Sequence, residues 1–69
     1  MTEFKLDGEY IELIKLIKLL RISESGAQAK IFVEDGQVIR NGEVEFRKRA
    51  KLIDGDIIEL FDHVIKIVK

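Results

Sequence analysis

The spacing of apolar residues changes once along this chain, at Gly36, and that change narrows the fold more than any other feature. From Glu9 to Val33 apolar side chains recur at helical intervals, and after Gly36 they fall in short runs bounded by turn residues. Leu13, Leu16, Ile17 and Leu20 stand at i, i+3, i+4 and i+7, with Glu12, Lys15 and Lys18 opposite, which predicts a helix over residues 9–22. Ile11, Ile14 and Leu19 widen its apolar surface, so it should pack against more than one partner. Ser25-Gly26-Ala27-Gln28 fits a capping box, in which the Ser hydroxyl accepts from the third helical amide and the Gln side chain reaches back. Ala29, Phe32 and Val33 then form an apolar stripe, and Gly36 suits a left-handed helix stop.

The remainder reads as strands. Phe4 to Leu6 suggests a short edge strand ending at Asp7-Gly8. Residues 37–40 and 44–46 flank Asn41-Gly42, a tight-turn pair that tolerates positive φ. Asp54-Gly55-Asp56 is a further turn, followed by a strand over 57–61, a turn at Asp62-His63 and a last strand over 64–68. The expected architecture is α+β, with two adjacent helices packed on a small, mostly antiparallel sheet in a single domain over 1–69.

Several functions are not expected. The chain has no Cys and one His, so disulfides, thiolate zinc sites and His clusters are excluded, and no metal or cofactor is expected. His63 lies in a turn with no triad partners in view, and Asp54 and Asp56 suit turn geometry better than paired acid–base work. No Gly-rich phosphate loop occurs, so no enzyme is expected. The chain ends Ile67-Val68-Lys69, where a sulfur-transfer carrier would have Gly-Gly. It opens with acids where a secretory leader would have cations, and its apolar run 11–22 is broken by Lys15, Lys18 and Arg21. No membrane partner is expected, and a cytoplasmic, monomeric protein is.

A net charge of −1 hides an uneven distribution. Residues 1–14 carry −3, residues 15–51 carry +4 and residues 52–69 carry −2. Arg47, Lys48, Arg49 and Lys51 place four cations in five positions. In an extended segment Arg47, Arg49 and Lys51 would share one face, with Phe46 and Ala50 turned inward. Such a segment can hold phosphates and release their counterions, or it can be a solvated loop balanced by Glu43 and Glu45. The start of the second helix offers free amides at Gly26 and Ala27 beside a favourable dipole.

In order and spacing, Ser25-Gly26-Ala27-Gln28-Ala29-Lys30, residues 36–42, Lys51-Leu52 and Gly55-Asp56 resemble the S-four-type RNA-binding domain, built around the αL motif. The basic run from Glu45 to Lys51 is similar to that of the short stand-alone bacterial members, the YbcJ-like proteins. The resemblance covers nearly the whole chain and implies RNA binding on the second helix and the hairpin after it. It implicates Lys30 and Asn41, with Ser25 and Gly26 at the helix cap. The stand-alone members add Lys18, Arg47, Lys48, Arg49 and Lys51. It departs at Gly26, where many relatives carry Arg, and at Arg40, an apolar position in relatives that here either adds a cation or faces solvent. Phe32, Phe46 and Phe61 read as core, and Tyr10 and Phe4 as remote from the cations, so no stacking platform is expected and structured RNA is the expected ligand. The rival reading is a ribosome-associated module whose basic surface takes an acidic protein.

Overall fold

In the computed structural model, which describes residues 1–69, the elements run β1 (Thr2–Lys5), β2 (Ile11–Glu12), α1 (Leu13–Leu19), α2 (Gly26–Glu34), β3 (Val38–Arg40), β4 (Glu43–Val44), β5 (Lys51–Leu52), β6 (Ile57–Leu60) and β7 (His63–Val68). The larger sheet has the order β1-β7-β6-β3-β4, and every pairing in it is antiparallel except β1 with β7. With the two helices packed on it, this is the α+β arrangement that the change of period predicts.

Both helices end in the same way. At the end of α2, Gly36 (φ 74°) donates to the Val33 carbonyl and Gln37 donates to that of Phe32. At the end of α1, Arg21 (φ 59°) donates to Lys18 and Ile22 to Ile17. These paired bonds are Schellman motifs, and each needs one residue in the left-handed region. The first uses the Gly36 that marked it. The second uses an Arg, so α1 stops before the apolar spacing does.

The start of α1 also departs from expectation. Residues 9–12 are not helical. Ile11 and Glu12 pair with Leu52 and Lys51 in a two-stranded ladder, and the helix begins only at Leu13. Its first amides are met from outside, Leu13 N donating to the Ala50 carbonyl and Ile14 N to that of Lys48, at 2.9 and 3.2 Å. Those bonds satisfy two of the donors that every helix start leaves free. They explain why a helix with no side-chain cap at Glu12 begins there.

One cluster of buried apolar side chains joins the layers. Leu13, Leu16 and Ile17 come from α1, Ala29 and Val33 from α2, and Val38, Ile58, Leu60, Ile65 and Ile67 from the sheet. Along β6 and β7 burial alternates, as it should when one face of a sheet meets the core. Phe32 packs at the edge of this cluster, its ring 5.0 Å from that of Phe61 in an edge-to-face pair. Phe61 itself is mostly exposed and starts the β6–β7 turn at φ 56°, because Leu60 pairs with His63 and the turn is one residue earlier than expected.

Candidate nucleic-acid interface

The segment carrying the cations is not extended. After β4 it leaves the sheet, and Ala50 N donates to the Arg47 carbonyl to close a turn over Lys48 and Arg49. Ala50 turns inward as expected, but Phe46 does not, and the residue stands 62% exposed. The turn is fixed from two sides. The carbonyls of Lys48 and Ala50 cap α1, and β5 continues at once into the pairing with β2.

A third anchor comes from Glu45. Its carboxylate accepts from the Arg47 amide (3.1 Å), from Arg47 Nε and Nη2 (both 3.0 Å) and from Arg40 Nη1 (3.2 Å). Arg40 Nη2 bridges to Asp56 Oδ2 at 2.8 Å and to the Lys51 carbonyl at 2.9 Å. In β3, Arg40 lies on the same face as the buried Val38, so it points toward the core margin and is held between two nearly buried carboxylates. It is therefore neither a free cation nor a solvent-facing side chain. The Arg47 guanidinium, against the opposing cost of burial and with help from Arg40, holds the Glu45 carboxyl down at about 2. Burial alone would raise Asp56, but the Ile53 amide, Asn41 and Arg40 together keep it below the usual carboxylate value.

Seen along α2, this fixed segment runs antiparallel beside one face of the helix. Gly26, Lys30 and Glu34 are spaced i, i+4, i+8 and share that face. Arg49 stands with Gly26, Ala27 and Lys30 around a groove that Lys15 and Lys18 of α1 also line, with Glu12 as its one acid. Further along, Lys48 meets Glu34 at 3.4 Å. Beyond the end of the helix, the Phe46 ring edge lies 3.5 Å from where a side chain on Gly36 would begin. Ser25 caps α2, accepting from Gln28 N at 3.1 Å, while Gln28 Oε1 accepts from the Glu24 amide, one residue further back than the usual box. The amides of Gly26 and Ala27 have no partner within the chain, and the space beside Gly26 is open.

Lys18, Gly26, Lys30 and Arg49 are thus brought together, with Ser25 holding the helix start in place. Arg47 and Lys51 adjoin them across Arg49. Lys48 is paired with Glu34. Asn41 is turned to other use: at φ 52° it makes the hairpin turn, its Nδ2 donating to Asp56 and its Oδ1 accepting from Ile57 N. The sequence reading missed Lys15, which it took for ordinary helix surface. It also missed Glu45, taken for a solvated counter-charge, and Phe46 and Tyr10. Tyr10 is not remote from the cations, since the Lys51 ammonium stands 5.0 Å over its ring. For Lys15 the charge pattern was the signal available, since it shares the exposed side of α1 with Lys18.

The S4 domain family model matches residues 4–68. YbcJ of Escherichia coli (strain K12), provisionally named an RNA-binding protein, is 46% identical over 69 residues, 99% of each chain. RlbA of Bacillus subtilis (strain 168), provisionally named a ribosome maturation protein, is 36% identical over 55 residues, 80% of this chain and 78% of the relative. The solution structure of E. coli YbcJ, described as revealing an αL motif involved in RNA binding, superposes with a TM-score of 0.75 at 43% identity, covering 100% of this chain and 89% of that one. Two adjacent helices packed on a small sheet match the αL class of RNA-binding module, which is non-catalytic. The chain belongs to the S4 domain family, as a small member similar to YbcJ over its full length.

Proposed function

We propose that this protein binds structured RNA through the groove between α1, α2 and the 47–51 segment, with Lys18, Lys30 and Arg49 on phosphates. The observation that carries the reading is the meeting of Lys15, Lys18, Lys30 and Arg49 with the unpartnered amides of Gly26 and Ala27 around one groove. A phosphate there gains charge-assisted hydrogen bonds and the helix dipole together. The preference for structured RNA rests on rigidity. Because the cation-bearing turn is tied to α1, β2 and Glu45, the backbone positions from which its cations extend are fixed, which suits the regular phosphate spacing of a folded RNA. The likeness to a provisional ribosome maturation protein makes ribosomal RNA the first target class to try. The reading takes one protein copy per RNA, in the cytoplasm.

The test is a competition between an RNA hairpin and an unstructured oligouridine of equal length at moderate salt. The hairpin is expected to win, and equal affinity or a preference for the oligouridine would overturn the structured-RNA reading.

A further inference from the structure

Three aromatic residues of the chain are exposed, and two are already engaged. The Lys51 ammonium covers Tyr10 at 5.0 Å, and Phe61 makes its edge-to-face pair with Phe32. Phe46 has neither a cation nor an aromatic partner. It is the most exposed aromatic residue of the chain, and its Cε1 and Cζ edge is the part that faces Gly36, beside Val44 Cγ1. Its place in the chain is also informative, since it directly precedes Arg47 and Lys48. Glu45, before it, is buried and anchors the backbone at that point.

From Gly26 to Gly36 is about 15 Å at the rise of a helix, a distance that a few nucleotides of strand can span. A strand whose phosphates lie in the Lys30–Arg49 groove and continue past Lys48 therefore reaches Phe46 a few nucleotides on. A fully paired helix has no base face to offer there, because its bases are stacked on one another. An unpaired nucleotide does, and an aromatic ring beside cations is the usual receptor for one.

We propose that Phe46 is a stacking platform for one unpaired RNA base, so that the ligand is an RNA helix interrupted or ended by an unpaired nucleotide. This rests on the RNA-binding reading above and narrows it. It assigns Phe46 a part in recognition that phosphate contacts cannot supply, since phosphates look alike in every sequence.

The test compares a blunt duplex RNA with the same duplex carrying one bulged adenosine, titrated into the intact protein. The wild type is expected to bind the bulged RNA roughly 5- to 150-fold more tightly, the range for one base stacked on an aromatic ring. Phe46→Ala should lose that preference while keeping its affinity for the blunt duplex, and Phe46→Trp should keep it. Phe46→Leu retains an apolar side chain against Gly36 and Val44 but has no π face, and it should behave as Ala does. Thermal melts of all three variants report that the fold is intact. No preference in the wild type, or a Leu variant as discriminating as Phe, would overturn the proposal, and an exposed ring with no effect on RNA would then belong to a protein contact. Failure of the underlying interface is distinguishable, because Lys30→Glu would then leave the blunt-duplex affinity unchanged.

Discussion

Arg40 stands between Glu45 and Asp56, so what it contributes depends on two residues that are distant in sequence or differently oriented from their neighbours. Sequence spacing identifies a cation at 40 but not its partners, because Asp56 arrives through the β3–β6 pairing and Glu45 through the hairpin. Removing one partner of a buried pair leaves an uncompensated charge, so Arg40→Ala should cost about 3 kcal/mol, read as a fall in the urea midpoint at pH 7. The depressed Glu45 pKa gives a pH dependence with a definite sign. Its ordinary value is 4.5 and its folded value about 2, so the stability it contributes is present above pH 4.5 and is lost as pH falls through 2. Denaturation curves across pH 5 to 2 should show that loss in the wild type and less of it in Glu45→Gln, which starts from lower stability at neutral pH. An equal slope in both would remove Glu45 from the account. Lys30 is the contrasting case. It is exposed and has no ion-pair partner, so Lys30→Glu should weaken RNA binding while changing stability by no more than about 0.5 kcal/mol.

At the scale of elements, the parts legible in sequence were those whose signals are local. The Ser25 cap, the Gly36 stop and the Asn41-Gly42 turn each depend on a residue type that the backbone there requires, and all three stand where expected. The limits of α1 are not local. Its start is set by carbonyls at 48 and 50 and by the pairing of Ile11 with Leu52, far along the chain. Its end is set by an Arg in a conformation that favours Gly. A non-Gly residue in the left-handed region costs about 1 kcal/mol, so Arg21→Gly should raise stability by about 0.5–1 kcal/mol, measured as the shift in urea midpoint with an unchanged slope. Destabilisation would mean that the Arg21 side chain supports the fold in some other way. Gly36→Ala should act in the opposite direction, since φ 74° is strained for any side chain, while the added methyl would make only an ordinary contact with the Phe46 ring at 3.5 Å.

For the whole molecule, the single change of period at Gly36 carried the fold class, and the excess of positive charge over residues 15–51 pointed to the segment in which the proposed interface lies. The detailed site was less legible, because it depends on which cations have carboxylates beside them. Lys18, Lys30 and Arg49 remain without an ion pair, while Arg40, Arg47 and Lys48 are each matched to an acid. The basic segment is thus part scaffold and part contact surface, and only tertiary packing separates the two. The salt dependence of affinity for a structured RNA tests this division most directly. If Lys18, Lys30 and Arg49 each neutralise a phosphate, replacing all three with Ala should lower the slope of log affinity against log salt by roughly 2 to 3 units, since each contact contributes about 0.7 to 0.9. A triple variant that keeps its fold and its full slope would contradict the account and place the RNA elsewhere on the protein.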